Sequence, residues 1–134
     1  MNQQMATALA AEEAAIYAYG IIGVKAGAVT EARAAEQAHR LRRDYLVGKL
    51  EQPQTSPAGY EMPFPVTDRA TALKLAVQVE DGVAQAWRPV LTVTTGADRT
   101  AALAAMTDAA VRATRWRRLA GVSPATLPFP GRAE

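Results

Sequence analysis

The sequence contains no cysteine and only one histidine, His39. Without cysteine the chain can form no disulfide, no thiolate metal site and no thiol-based active site. Large aromatic side chains are also scarce, since the chain has two Trp, four Tyr and two Phe residues. A hydrophobic core must therefore be built mainly from small side chains.

The sequence has no strong excess of one charge and no long apolar run. Its net charge of +2 is too small to predict binding to nucleic acid or to an anionic membrane. The longest apolar run, residues 14–28, contains Lys25 and is shorter than the roughly 20 residues that a membrane-spanning helix needs. No export signal, phosphate-binding glycine loop or serine-nucleophile motif is visible. We therefore expect a cytoplasmic protein with no nucleic-acid or membrane partner.

Alanine is the most abundant residue type of the chain, with 30 alanines among 134 residues. Alanine has the highest intrinsic helix propensity, so this composition predicts an all-α fold. The length suits a single domain, residues 1–134, with one core.

Caps and helix breakers predict the first two helices. The first is expected over residues 3–26, with Asn2 as its candidate cap and Gly27 as its stop. Thr30 is the expected cap of the second helix, which should end near Glu51 because Pro53 cannot continue it.

Caps and helix breakers also predict the helices of the second half of the chain. A third helix is predicted to begin at Thr67-Asp68 and to run to about Thr94, with a kink at Pro89. Asp98 is the expected cap of a fourth helix, which Gly121 ends. The tail, residues 122–134, is expected to be extended and packed on the helices.

The lengths of the connections predict the topology. About three residues join each pair of consecutive helices within a half, so each half forms an antiparallel hairpin. Residues 52–66 contain four prolines and reach about 50 Å when extended, whereas a helix of about 22 residues measures about 33 Å. Such a connection suits a long crossover that starts the third helix parallel to the second. These features predict a ferritin-like four-helix bundle.

The spacing Glu36-x-x-His39 is the first indication of a site. It places an acid and an imidazole one turn apart on one helix face, which is half of the ligand set of dinuclear iron or manganese bundles. The other half is incomplete, because Asp108 is followed three residues later by Val111. A second interpretation is open for Glu36, since Arg40 lies four residues on and could form a surface ion pair with it.

Glu80 is the stronger indication. It lies between Val77 and Ala84 on a predicted core stripe, with no basic residue three or four positions away. A buried carboxylate without a partner is too costly, so a cation, a proton or a donor from another helix must meet it. Glu12 and Glu13 also lack a cationic partner on their own helix, and we expect one of them to face inward.

Two hypotheses of function follow from these acids. In the first, the protein is non-catalytic, and arginine, protons or water neutralise the core acids, with Arg112 or Arg115 reaching inward. In the second, a metal ion or a weak metal pair supports redox or oxygen chemistry. Iron or manganese would be the cofactor, and the candidate ligands are Glu12, Glu36, His39, Glu80 and Asp108. The missing second histidine favours the first hypothesis.

Five stretches of the chain are familiar as a set: residues 10–20, 62–68, 107–112, 120–122 and 129–131. Together they resemble an actinobacterial ferritin-like domain family of unassigned function, over nearly the whole chain. The resemblance implies a ferritin-like bundle, a dimer and no established activity. It also implies that the full di-iron ligand set need not be kept.

Oligomerisation is expected for a physical reason as well. A domain of this size cannot easily bury Trp87, Trp116, its tyrosines and a proline-rich tail by itself. We therefore predict a homodimer.

Overall fold

A computed structural model describes residues 1–133 and confirms that the described chain is all-α. Four α-helices and one short 3-10 helix are present, and these residues form no strand. In chain order the elements are α1 (Gln3–Ala26), α2 (Val29–Val47), α3 (Arg69–Trp87), the 3-10 helix (Arg88–Thr92) and α4 (Gly96–Ala120).

The first helix has the predicted ends. The side chain of Asn2 accepts a hydrogen bond from the Met5 backbone N–H at 2.8 Å, which satisfies one of the free donors of the first turn. Gly27 ends the helix in the left-handed conformation, with φ of 66°, where glycine pays no steric penalty.

The second helix differs from its prediction at both ends. It begins at Val29, so Thr30 is a helical residue and not the cap. It ends at Val47, four residues before Glu51, and Gly48 and Lys49 continue as a turn. Glycine is a poor helix former, so the helix ends there before Pro53 can act on it.

The structure corrects the boundary between the third and fourth helices. The third helix ends at Trp87, and the 3-10 helix Arg88–Thr92 follows in place of the kinked continuation, because Pro89 has no N–H to donate. The fourth helix begins at Gly96 with Thr95 as its N-cap, so the prediction that Asp98 is the cap is wrong. Asp98 lies in the first turn instead.

Contacts between helix ends define the topology. The Arg69 side chain, at the start of α3, donates to the Ala26 carbonyl at the end of α1, so these two helices are antiparallel. Since α2 is also antiparallel to α1, α2 and α3 run parallel. Residues 48–68 connect them along the length of the bundle, and Tyr60 packs on Tyr17 on the way, with 5.3 Å between ring centroids. A connection of 21 residues, 48–68, therefore separates α2 from α3.

The core consists of two apolar clusters built largely from alanine. Trp87 anchors one cluster and Trp116 the other. The side chains of Glu12 on α1, His39 on α2 and Glu80 on α3 are buried among these apolar residues and contact one another. We call the level of the core that they occupy the polar layer.

The tail follows the outer face of α3 and α4. Arg88 donates to the carbonyls of Phe129 and Pro130 at 3.5 and 3.4 Å, and Arg117 donates to the carbonyl of Ala125 at 3.5 Å.

In residues 1–133, no helix combines the length and the apolar character that crossing a membrane requires.

Candidate functional site

Each of the four long helices contributes one charged residue to the polar layer. These residues are Glu12 on α1, His39 on α2, Glu80 on α3 and Arg112 on α4. Glu12, His39 and Glu80 are at most 2% exposed, and the Arg112 side chain is 14% exposed. We call these four residues the core cluster.

His39 lies at the centre of the core cluster. Its Nδ1 is 2.5 Å from Glu12 Oε2, and its Nε2 is 2.8 and 2.9 Å from the two carboxylate oxygens of Glu80. Burial alone would lower the pKa of His39, but the hydrogen bonds to Glu12 and Glu80 outweigh it and raise the pKa to about 9. His39 is therefore an imidazolium at neutral pH, with each ring nitrogen donating to a carboxylate.

Aromatic donors add a hydrogen bond to each of the two carboxylates. Trp87 Nε1 donates to Glu12 Oε1 at 2.7 Å, and the Tyr19 hydroxyl donates to Glu80 Oε2 at 3.1 Å. Burial, together with the nearby charge of Glu80, raises the pKa of Tyr19 well above its ordinary value, so the phenol keeps its proton. Trp116 Nε1 in turn donates to the Tyr19 oxygen at 2.9 Å.

Arg112 closes the cluster on the side of α4. Its guanidinium donates to Glu80 Oε1 at 3.1 Å and to Asp108 Oδ2 at 2.9 Å. Burial opposes the charge of Arg112, but Glu80 and Asp108 outweigh that effect and raise its pKa. Of the two arginines considered from sequence, Arg112 is the one that reaches inward, and Arg115 is exposed.

The core cluster is balanced in charge, and its hydrogen-bonding groups all have partners. Two carboxylates, Glu12 and Glu80, face one imidazolium and one guanidinium, so the charges of these four residues cancel. Throughout residues 1–133, every buried side-chain nitrogen and oxygen has a hydrogen-bond partner. A buried polar network that is fully satisfied in this way is rigid and specific.

The candidate ligands named from sequence separate into two groups. Glu12, His39 and Glu80 come together, and the choice between Glu12 and Glu13 is decided by burial, since Glu13 lies only partly buried on the side of α1. Glu36 lies outside the cluster with its side chain 29% exposed, where it accepts from Arg40 at 3.1 Å. The second interpretation of Glu36, as half of a surface ion pair, therefore describes its position.

Asp108 stands at the rim of the cluster. Its side chain is 41% exposed. Arg112 lies between Asp108 and the buried residues, because its guanidinium pairs with both Asp108 and Glu80. Val111, whose place a second histidine ligand would take, is 45% exposed and does not enter the core.

The donor atoms of this arrangement do not fit a dinuclear metal centre. Such a centre needs free carboxylate oxygens and a free imidazole nitrogen on each side. Here those atoms bond to each other or to Trp87, Tyr19 and Arg112, and the guanidinium places a permanent positive charge against Glu80. Within the part of the chain described, no group of three or more His, Asp or Glu side chains has the geometry to hold a metal ion.

Sequence reasoning missed the aromatic donors, although their spacing was visible. Tyr19 follows Glu12 by seven residues on α1, and Trp87 follows Glu80 by seven on α3. Because the two helices are antiparallel, each acid meets the aromatic residue of the other helix. The same seven-residue spacing on two helices predicted to be antiparallel is the signal that could have revealed these acid–aromatic pairs.

The fold and the cluster define a helical-bundle protein with a charge-balanced polar layer in an alanine-rich core. The chain belongs to the family described as Domain of unknown function (DUF4439), whose model matches residues 4–134. It is similar to the crystal structure of a conserved hypothetical protein, rv2844, from Mycobacterium tuberculosis. The identity is 39%, the match covers 96% of each chain, and the TM-score is 0.84. No curated protein matches the sequence.

Proposed function

We propose that this protein is a non-catalytic ferritin-like bundle that acts through its surface, with charged side chains in the place that metal ions take in related architectures. The contact between Arg112 and Glu80, at 3.1 Å, carries the proposal. A guanidinium does not lose its proton in a protein, so its positive charge in the layer is permanent.

Charge balance supports this proposal. Two buried carboxylates need two positive charges, because an uncompensated charge in an apolar core is strongly destabilising. His39 and Arg112 supply these charges from within the chain. The bundle can therefore fold with its core complete and without a cofactor.

The path of the chain supports the ferritin-like part of the proposal. Helices α2 and α3 run parallel and are joined by residues 48–68, which travel the length of the bundle. Single long crossovers of this kind occur in ferritin-like folds. Charged side chains from all four helices at one level of the core are the second feature that such bundles share.

A second candidate function is a protein that binds iron or manganese. The convergence of Glu12, His39 and Glu80 from three helices favours it. For a larger ligand set Glu36 and Asp108 would have to turn inward, and Arg112 would have to leave Glu80. Each of these movements would break an existing contact, namely Glu36 with Arg40, Asp108 with Arg112 and Arg112 with Glu80.

Metal analysis separates the two candidates. The wild-type protein, His39→Ala and the control Glu36→Ala are purified without chelator, and bound metals are measured by mass spectrometry. We expect only traces of metal in all three proteins. Near-stoichiometric iron, manganese or zinc that is kept in Glu36→Ala and lost in His39→Ala would overturn the proposal in favour of the second candidate.

A homodimer in the cytoplasm completes the proposal. Large apolar side chains that remain exposed support the dimer, including Val24 at 76% and Leu103 at 51%. The cytoplasmic location rests on sequence reasoning alone. Sedimentation or light scattering across micromolar concentrations should give the mass of two chains, and a monomeric mass throughout would contradict the dimer.

A further inference from the structure

The tail and the outer face of α3 and α4 enclose a groove of about 550 Å³. Its floor is apolar or small, and is formed by Ala84, Met106, Ala110 and Thr114. Leu127, Phe129 and the prolines beside them line the opposite wall, which belongs to the tail. We call this space the tail groove. It lies on the outside of the bundle, away from the core cluster.

Specific contacts keep the tail groove open. Arg88 holds the carbonyls of Phe129 and Pro130. Gly131 lies so close to α3 that a Cβ atom there would be 2.8 Å from the Ala84 carbonyl oxygen, and its φ of 78° also requires glycine. The tail is thus anchored to α3 on one side of the groove and arches over the rest. A preformed space of this size lies within the range of about 300–1,000 Å³ that ligand pockets occupy.

Phe129 carries two unfavourable features at the rim of the tail groove. Its side chain is 65% exposed, and its backbone has a φ of 54°, which non-glycine residues adopt only at a cost. An exposed ring next to an apolar groove points to a contact that the isolated chain lacks. A ligand packed against the ring would cover it.

The charges around the tail groove define the kind of ligand. Arg132 lies over the Phe129 ring, 5.7 Å from its centroid, and Arg117 pairs with Asp81 in the groove wall. An adjoining cavity shares these three charged residues and adds Arg69 and Lys74. The described residues that line the two spaces taken together include four positive residues and one negative residue, and those that line the tail groove itself include Arg117, Arg132 and Asp81. Glu134 lies outside the described residues.

We propose that the tail groove binds an amphiphilic carboxylate, with its apolar chain on the floor and its anionic head toward Arg132. The apolar floor and the Phe129 ring suit the chain, and the positive wall is complementary to the head. The inference deepens the proposed function and rests on it, because it assigns a ligand class to the surface through which the protein acts.

Titration calorimetry with dodecanoate tests this assignment. The wild-type protein should bind one dodecanoate per chain in a saturable manner. Ala110→Leu, which fills the floor, should weaken binding by about tenfold or more, and Leu41→Ala, at an exposed apolar side chain of α2, should leave it unchanged. Dodecanol, which lacks the charge, should bind more weakly than dodecanoate.

Three outcomes would overturn the inference: no saturable binding, equal weakening by Ala110→Leu and Leu41→Ala, or equal affinity for dodecanol and dodecanoate. If Ala110→Leu does not fold, Arg132→Glu takes its place, and unchanged dodecanoate affinity in that variant counts against the assignment. The result is separable from the metal analysis, because dodecanoate binding is measured on the same preparations whatever their metal content.

Discussion

The core cluster and the outer face of α2 use the same chemistry in opposite surroundings. Glu80 and Arg112 pair at 3.1 Å, and so do Glu36 and Arg40, but the Glu80 side chain is fully buried while the Glu36 and Arg40 side chains are 29% and 44% exposed. Water solvates both partners of the outer pair, so little free energy depends on it. Protein groups supply most of the solvation of the inner pair, because Glu80 is fully buried and the Arg112 side chain is only 14% exposed. The comparison teaches that the surroundings of an ion pair, and not its length, decide its importance.

The largest difference between the two regions should come from Glu80→Gln. The substitution leaves His39 and Arg112 with too little negative charge in a dry core, so we expect a loss of about 3–5 kcal/mol in the free energy of unfolding. Urea unfolding with and without chelator measures it. An equal loss in both conditions agrees with the charge-balanced cluster, whereas a loss seen only without chelator would indicate a bound metal.

Raising the pH should weaken the core cluster and leave the α2 surface pair unaffected. The pKa of His39 is about 9 in the folded protein, against 6.5 for the free side chain. Its contribution is fully present below about pH 6.5 and is lost as the pH rises through about 9. The shift corresponds to about 3 kcal/mol.

The groups around His39 determine this pH dependence. Glu12 and Glu80 face the imidazole, while Tyr19 and Arg112 contact Glu80. Urea unfolding of the wild type and of His39→Gln, from about pH 6 to about pH 10, gives the difference that belongs to His39. A difference that stays constant over this interval would show that His39 is not held as an imidazolium.

Arg112→Met should have an intermediate effect. It removes one positive charge from the cluster, but the side chain is 14% exposed, so water can replace part of its solvation of Glu80. We expect a loss of about 1–3 kcal/mol in the free energy of unfolding. Arg115→Met, at an exposed position of the same helix, is the matched control and should change stability by less than about 0.5 kcal/mol. Equal effects of both variants would refute the assigned role of Arg112.

The smallest effect should follow from Glu36→Gln. The pair with Arg40 is exposed to water, so the expected change is below about 0.5 kcal/mol. Thermal unfolding of this variant beside Glu80→Gln gives the comparison directly. A loss for Glu36→Gln as large as that for Glu80→Gln would mean that Glu36 belongs to the site after all.

Local signals were sufficient to predict the all-α character of the described residues, the ends of α1 and the burial of Glu80. Asn2 and Gly27 determine the ends of α1 through their own backbone and side-chain preferences. Glu80 could be identified because no residue of its own helix can neutralise it. The crossover was predictable from its length, since a long connection is needed only if it spans the bundle.

The rest depended on the rotation and register of helices. Glu36 and His39 are three residues apart, and a small rotation of α2 decides whether both face the core or only His39 does. The same holds for Arg112 and Arg115 on α4, where the buried stripe of alanines determines which arginine turns inward. A single sequence contains the stripe but not its partner, so these choices stayed open.

The hydrogen bonds from the aromatic residue of each helix to the acid of the other, between α1 and α3, have a consequence for how this chain avoids misfolding. Alanine-covered helix faces are nearly uniform, so two such helices could slide past each other by one turn, about 5.4 Å, and still bury similar apolar area. Glu12 meets Trp87, and Glu80 meets Tyr19, only at a single offset. At an offset changed by one turn, neither carboxylate would meet its aromatic donor on the other helix. Glu12 and Glu80 thus specify the register of α1 against α3, which the alanine-covered helix faces alone would leave ambiguous.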